Sequence, residues 1–339
     1  MSERPAGRES EPGPSGRGSG GHSVDSPSGP AEGQERGATS ERPGTNAITQ
    51  HNVEANGLTF AYLAAGDPAA PLALCLHGFP DSAWTWRHLL PFLAGGGYRA
   101  VAPWLRGYAP TTVPSDGRYQ SAVLGLDACA LHGALGGGDD AVLIGHDWGA
   151  FAAYAAVHHT TPWRRVVTLA VPPPATITGG FLSYDQLRRS WYMFFFQHPL
   201  AELALPMDDL AFIERLWADW SPGYDATADL PHVKDALRDA ANLNAAIGYY
   251  RATLGGIGRD PDPEVQALQD ASAGPPPLPT LYLHGRTDGC MGADLAEQAG
   301  AALTAPGSRA EIVDDAGHFL HLERPDVVNG LIAEFLAER

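Results

Sequence analysis

The sequence predicts an α/β fold in which helices flank a mostly parallel sheet and an all-helical cap is inserted. Short apolar runs alternate with helical stretches, which is typical of parallel strands joined by crossover helices. Residues 173–275 break this pattern, because they are aromatic-rich and carry no strand signal. The alternation resumes near Thr280 and continues to the end of the chain.

Residues 1–46 precede this pattern and consist mostly of Gly, Pro, Ser, Glu and Arg. Such a segment cannot bury enough apolar surface to offset the entropy lost on ordering, so we expect a disordered arm. The predicted organisation is an arm over 1–46, a core formed by 47–172 and 276–339, and a helical cap over 173–275.

The core begins with two β-like runs, at 48–54 and 58–64, joined by Asn56-Gly57. This dipeptide tolerates the positive φ of a tight turn and predicts an antiparallel hairpin. Further strands are predicted at 72–76, 99–103, 141–144, 166–171, 280–283 and 309–313. Helices are predicted at 82–93, 120–135, 148–158, 293–303 and from Pro325 onward.

Composition excludes several classes of function. The 22 Lys and Arg residues against 39 Asp and Glu residues give a net charge of −17, which disfavours nucleic-acid binding. Cys75, Cys129 and Cys290 are too few and too scattered for a disulfide scaffold or a zinc cluster, and they fit a reducing, cytoplasmic setting. Because no apolar run approaches the ~20 residues of a membrane helix, we also expect no membrane insertion.

The segment Gly145-His146-Asp147-Trp148-Gly149 follows an apolar strand and leads into a helix of small residues. Its glycines permit a sharp turn that lifts Asp147 above the sheet, at the positive N-terminus of the helix. The same pentapeptide can be an ordinary turn in which Asp147 caps the helix. The flanking strand and helix favour the interpretation that Asp147 is a carboxylate nucleophile.

A carboxylate nucleophile needs a base that activates water against the resulting ester, and a group that orients this base. Asp288 follows one predicted strand and His318 follows another. Each alone is typical of a solvated or structural residue, but their joint placement predicts a catalytic triad of Asp147, Asp288 and His318. The backbone N–H groups of Phe79 and Trp148 are the predicted oxyanion hole.

Six linked motifs are distributed over the region from residue 47 to the end of the chain, and the resemblance they carry extends over essentially all of it. They are HGFPDSAWTWRHLLP at 77–91, RGYAPT at 106–111, GHDWGA at 145–150, SWYMFFFQ at 190–197, GYYRAT at 248–253 and GHFLHLERP at 317–325. With these motifs the chain resembles α/β-hydrolases of the epoxide hydrolase group, which are related to haloalkane dehalogenases.

The resemblance implies two cap tyrosines that bind the epoxide oxygen. Tyr192 matches the first, and Tyr250 is the best match to the second, although the adjacent Tyr249 leaves that assignment open by one residue. The resemblance further implies a small hydrophobic epoxide as substrate, an ester on Asp147, a vicinal diol as product, and no metal or organic cofactor. We expect the chain to act as a monomer or homodimer.

Other residues are expected to contact the substrate or to support the site. The expected substrate-binding residues are His77, Gly78, Pro80, Trp148, Trp191 and Phe195. Glu323 is expected to fix the loop after His318, and Asp127 to lie on a helix flanking the sheet.

Two other functions compete with epoxide hydrolysis. A haloalkane or haloacid dehalogenase would use the same Asp147 nucleophile, with the Trp148 indole N–H binding the halide. A non-catalytic binding protein is the other alternative. The cap tyrosines favour the epoxide, and Trp148 stands where a haloacid enzyme would carry Arg.

Overall fold

The structure is a computed structural model that describes residues 46–255 and 260–338. The predicted arm, apart from its last residue, lies outside these residues. In the described part of the chain, eight strands form one sheet in the order β1-β2-β4-β3-β5-β6-β7-β8. The strands are β1 (Thr49–Ala55), β2 (Leu58–Ala65), β3 (Leu72–Leu76), β4 (Arg99–Pro103), β5 (Val142–His146), β6 (Arg165–Leu169), β7 (Thr280–Gly285) and β8 (Arg309–Val313).

The sheet is mostly parallel, as predicted. Strand β2 is antiparallel to both of its neighbours, β1 and β4, whereas all pairs from β4 to β8 are parallel. Every residue of β3, β5, β6 and β7 is buried. Burial of successive residues means that both faces of the central sheet are covered, and this explains why these strands are apolar runs rather than alternating ones.

Helices cover the sheet and fill the segment between β6 and β7. Helices α1 and α14 contact each other and the sheet, as do α2 and α3. The α-helices are α1 (Leu89–Gly95), α2 (Ser121–Ala134), α3 (Trp148–Ala156), α4 (Pro174–Gly180), α5 (Tyr184–Arg189), α6 (Trp191–Phe195), α7 (Leu200–Ala204), α8 (Met207–Trp220), α9 (Leu230–Leu237), α10 (Ala240–Tyr250), α11 (Pro263–Ser272), α12 (Ala293–Glu297), α13 (Leu320–Glu323) and α14 (Pro325–Ala337).

Helices α4 to α11 lie in the segment that the sequence predicts to be a cap, and we call this segment the cap. Its described residues contain no strand. Helix α8 is interrupted at Asp208, Asp209 and Leu210, which have positive φ values. The division of the chain into core and cap at residues 172 and 276 stays a prediction. None of the described helices is long and apolar enough to cross a membrane.

Two predicted helices are each divided in the structure. The helix predicted at 82–93 is a 3-10 turn at Ala83–Trp86 followed by α1. Pro91 has no N–H group to donate to the carbonyl of Arg87, so a continuous helix is interrupted between Trp86 and Leu89. The helix predicted at 293–303 is α12 followed by a 3-10 turn at Ala299–Ala302.

Two glycines allow α3 to begin directly above the sheet. A Cβ atom on Gly145 would lie 2.1 Å from the carbonyl oxygen of Gly149, and one on Gly149 would lie 2.1 Å from that of Leu76. Both contacts are with backbone, which cannot rotate away. The glycines therefore bring the start of α3 close to the ends of β3 and β5.

We expect Gly149→Ala to lower the free energy of unfolding by about 3 kcal/mol, because its methyl group overlaps the Leu76 carbonyl. Gly330→Ala in α14 is the matched control, since a Cβ atom there meets nothing within 4 Å. It should raise the free energy of unfolding by about 0.5–1 kcal/mol. Denaturant titration of both variants measures these changes, and equal stabilities would contradict the packing argument.

Candidate active site

Asp147 stands alone between β5 and α3. Its backbone has φ 53° and ψ −115°, a left-handed conformation that costs a non-glycine residue energy. Its N–H donates to the carbonyl oxygen of Leu169 at 3.2 Å. This is the geometry of the predicted elbow, and it directs the buried carboxylate into the space between sheet and cap.

The loop after β3 approaches this carboxylate. The Phe79 N–H donates to Asp147 Oδ1 at 2.8 Å. A Cβ atom on Gly78 would lie 2.3 Å from the same oxygen, so only glycine permits this approach. The Trp148 amide also stabilises the carboxylate. The two N–H groups predicted to form the oxyanion hole thus both act on the Asp147 carboxylate.

His318 and Asp288 come together from the loops after β8 and β7. His318 Nδ1 lies 3.0 Å from Asp288 Oδ2, and His318 Nε2 lies 3.7 Å from Asp147 Oδ2. Asp288 Oδ1 accepts from the N–H groups of Cys290 and Met291 at 2.7 and 2.9 Å. The carboxylate thus orients the imidazole, and Nε2 faces Asp147 without a hydrogen-bond partner among the described residues.

Burial and charge act together on these three groups. Burial raises the pKa of Asp147, and the His318 ring and the two amides oppose this without cancelling it. Burial would also raise the pKa of Asp288, but the His318 and His284 rings and the Met291 amide together outweigh it and hold the pKa below its usual value. Burial would lower the pKa of His318, but the carboxylates of Asp288, Asp147 and Glu323 together outweigh burial and raise the pKa, with Asp288 contributing most among them. The imidazole is therefore a stronger base than an ordinary histidine.

Residues of the cap and of α13 hold both loops. The carbonyl oxygen of Trp220 accepts from the N–H groups of Gly289 and His318 at 3.0 and 3.1 Å. Glu323 accepts from the Ser221 hydroxyl at 2.6 Å and from the Gly317 N–H at 2.9 Å. Glu323 therefore fixes the loop around His318, the role expected for it. Asp127 lies on α2, as expected, and pairs there with Arg106 of the loop after β4.

Two cap tyrosines face Asp147 from above. Tyr192 and Tyr250 are buried with their ring centroids 5.5 Å apart, and the Tyr192 hydroxyl lies 3.4 Å from Cys290 Sγ. The Tyr250 hydroxyl makes no hydrogen bond of ordinary geometry among the described residues, although the Trp148 and Tyr192 side chains lie near enough to lower its pKa against the effect of burial. Burial raises the pKa of both phenols, so both carry their protons and can donate them.

The neighbouring Tyr249 points elsewhere. Its hydroxyl donates to the carbonyl oxygen of Arg106 at 2.7 Å, and its ring packs against Tyr108 and Tyr119. This geometry favours Tyr250 over Tyr249 as the second phenol of the site.

A cavity of about 50 Å³ lies between the carboxylate and the cap. Of the residues predicted to bind the substrate or to act on it, four line this cavity: Asp147, Trp148, Tyr192 and Tyr250. Its full lining in the described residues is Asp147, Trp148, Phe151, Val171, Ile177, Phe181, Tyr192, Met193, Tyr250, Cys290 and Met291.

Several of these lining residues were not predicted. Phe151 lies four residues after Asp147 and hence on one face of α3, while Cys290 and Met291 follow Asp288 closely. These spacings could have indicated them. Ile177 and Phe181 carry no such signal, because their position depends on how the cap folds over the core.

Other predicted substrate contacts lie outside the cavity lining. His77 uses both ring nitrogens on backbone groups, Gly78 O and Leu105 N, and burial lowers its pKa to about 4. The Pro80 carbonyl accepts from the Trp217 indole at 2.7 Å. Trp191 is 47% exposed and packs with Phe195 against Phe212. Their substrate contacts stay predictions.

Comparison with known proteins gives consistent results. A family described as alpha/beta hydrolase fold matches residues 71–325. Epoxide hydrolase 3 of Xenopus tropicalis is 33% identical over 84% of this chain and 76% of its own length. Epoxide hydrolase A of Mycobacterium tuberculosis is 30% identical over 86% of this chain and 98% of its own length. The crystal structure of Epoxide Hydrolase A from Mycobacterium thermoresistibile superposes with a TM-score of 0.72 at 26% identity, covering 86% of this chain and 98% of that one.

We expect Asp288→Asn to lower the pKa of His318, because the carboxylate is the main group that raises it against the effect of burial. NMR titration of the imidazole resonances measures this pKa. Asp294→Asn, which removes an exposed carboxylate of α12, is the control and should leave it unchanged. An unchanged or higher pKa in Asp288→Asn would contradict the assignment of Asp288 as the charge partner.

Proposed function

This chain belongs to the α/β-hydrolase family and to its epoxide hydrolase group, and we propose that it hydrolyses a small epoxide to a vicinal diol through an ester on Asp147. The contact that carries this proposal is the one between the elbow carboxylate and an unpartnered base, 3.7 Å apart, beneath two protonated phenols.

The first step is attack of Asp147 on a ring carbon. Asp147 Oδ1 is bound by the Phe79 amide, so Oδ2 is the oxygen left to form the new C–O bond. The ring C–O bond breaks as it forms. Tyr192 and Tyr250 hydrogen-bond the departing oxygen. Because an alkoxide is a poor leaving group, one of the two phenols transfers its proton to this oxygen and becomes a phenolate.

The second step is hydrolysis of the ester. His318 Nε2, held by Asp288, takes a proton from water, and the hydroxide attacks the carboxyl carbon of Asp147. Charge develops on Oδ1, which the Phe79 and Trp148 amides stabilise. The bond between the Asp147 carboxyl carbon and the substrate oxygen then breaks, that oxygen takes the proton from His318, and the diol leaves. The proton left on the carboxyl group returns to the phenol, which restores the Asp147 carboxylate.

The substrate class can be tested directly. The protein is incubated with small alkyl and aryl epoxides and with haloalkanes of the same carbon skeletons. Diol from the epoxides supports the proposal, and halide from the haloalkanes without any diol would indicate a dehalogenase. Binding of either set without product would indicate a non-catalytic protein.

We expect His318→Gln to accumulate the ester, because alkylation does not require the base whereas hydrolysis does. Intact-protein mass spectrometry should show an adduct of one substrate mass, which peptide mapping assigns to Asp147. Asp147→Asn is the control and should carry no adduct. If His318→Gln binds substrate and forms no adduct, the role of His318 is wrong.

We expect Tyr192→Phe and Tyr250→Phe each to lower the alkylation rate by about 10- to 1000-fold, because each removes one donor to the epoxide oxygen. Single-turnover quenched-flow measurements separate this rate from ester hydrolysis, which should barely change. Tyr249→Phe is the matched control, since its hydroxyl is bound to the Arg106 carbonyl. A slow Tyr249→Phe beside a normal Tyr250→Phe would move the second donor by one residue.

A further inference from the structure

Cys290 is a potential metal ligand beside Asp147 and His318, and the proposed reaction does not use it. Cys290 Sγ, His318 Nε2 and a carboxylate oxygen of Asp147 lie within 4.8 Å of one another, and all three residues are buried. Cys290 and Asp147 both line the cavity. The Cys290 thiol contacts the Tyr192 hydroxyl at 3.4 Å.

A second observation also indicates a ligand at this cluster: one of its buried polar atoms has no hydrogen-bond partner among the described residues. His318 is fully buried, and its Nε2 atom has no hydrogen-bond partner among the described residues. Nδ1 faces Asp288, so Nε2 is the nitrogen left to bind a ligand. Such a nitrogen, beside a carboxylate and a thiol, is a metal-binding donor set.

We propose that Asp147, Cys290 and His318 form a site for a soft divalent cation, Zn²⁺ or Cd²⁺, that inhibits the enzyme by occupying its nucleophile. The inhibition rests on the proposed function, whereas binding of the ion does not. One imidazole nitrogen, one thiolate and one carboxylate oxygen leave a fourth position of a tetrahedral zinc ion for water.

The distances suit such an ion after small side-chain movements. Bond lengths of tetrahedral zinc put its nitrogen, oxygen and sulfur ligands roughly 3.5 Å apart. Nε2 and Asp147 Oδ2 are already 3.7 Å apart, and the thiol lies within 4.8 Å of both groups. Side-chain movements of about 1 Å therefore bring the three ligand atoms to the separations that zinc requires. On binding, the S–H bond of Cys290 breaks, the sulfur keeps the electron pair for the metal, and the proton passes to the buffer.

Charge and access both favour this cluster. The buried carboxylates of Asp147 and Asp288 attract a cation, and no Lys or Arg lines the cavity in the described part of the chain. A second buried cluster, Asp81, His146 and His321, also brings three ligand atoms together. None of its residues lines that cavity, so it lacks the route by which an ion reaches Asp147.

Binding can be tested without activity, by spectroscopy with Co²⁺ on the full-length, metal-free protein. We expect one Co²⁺ per chain, with thiolate-to-metal charge-transfer absorption and the visible bands of tetrahedral Co²⁺, displaced by Zn²⁺. Cys290→Ser should lose the charge-transfer band. Cys129→Ser, a buried cysteine on α2, is the matched control and should keep it. Absence of the band from the native chain, or its persistence in Cys290→Ser, would overturn the proposal.

Kinetics then test the inhibition. Zn²⁺ should inhibit epoxide turnover competitively and reversibly on chelation, whereas Mg²⁺, which prefers oxygen ligands, should not. For each protein, inhibition is expressed as a fraction of its own metal-free rate. The Zn²⁺ concentration that halves this rate should be about tenfold or more higher for Cys290→Ser than for the native chain. Equal inhibition of both proteins would place the ion elsewhere and refute the site. A Cys290-dependent Co²⁺ band in a chain without epoxide turnover would instead refute the proposed function alone.

Discussion

The geometry of the site depends on a buried carboxylate whose charged form is stabilised by backbone amides and by an imidazole. Burial disfavours the ionised form of Asp147, and the attack proposed for this carboxylate requires the ionised form. Its two opposing influences come from different parts of the chain: backbone amides at the ends of β3 and β5, and the His318 ring after β8. Small residues at 78, 145 and 149 let the amides approach closely enough. The fold thus supplies with backbone dipoles what water supplies to an exposed carboxylate.

The cap takes part in this arrangement as well as covering it. The Trp220 carbonyl at the end of α8 accepts from both triad loops, through Gly289 and His318. Arg189 of α5 donates to the carbonyl oxygen of Asp288 at 2.6 Å, and the Trp217 indole donates to that of Pro80. The same segment that carries the phenols therefore also fixes the loops that carry the base and its partner. A shift of the cap relative to the sheet would disturb acid and base together.

The sequence was a good guide wherever one residue type satisfies one local requirement. The strands and the sharp turn at Asp147 could be predicted because apolar runs and glycines have local signatures, and the sheet confirms the fold class. The catalytic roles of Asp147, Asp288 and His318 stay predictions. Contacts that depend on tertiary packing could not. Trp191 belongs to an aromatic run, yet it is half exposed, whereas Ile177 lines the cavity although nothing in its local sequence indicates it. Consecutive tyrosines at 249 and 250 also look alike until α10 turns one to Arg106 and the other to the cavity.

The two unpartnered polar atoms at the site have a common explanation. A buried polar group without a hydrogen bond costs about 1–3 kcal/mol, and His318 Nε2 and the Tyr250 hydroxyl are two such atoms that lie beside Asp147. Each faces Asp147 from a different side, one from the core and one from the cap. In the proposed reaction, His318 Nε2 accepts a hydrogen bond from the attacking water. The Tyr250 hydroxyl donates one to the epoxide oxygen. Interactions absent from the free protein and present during reaction are those that accelerate it, so the stability lost in the folded chain becomes available for catalysis.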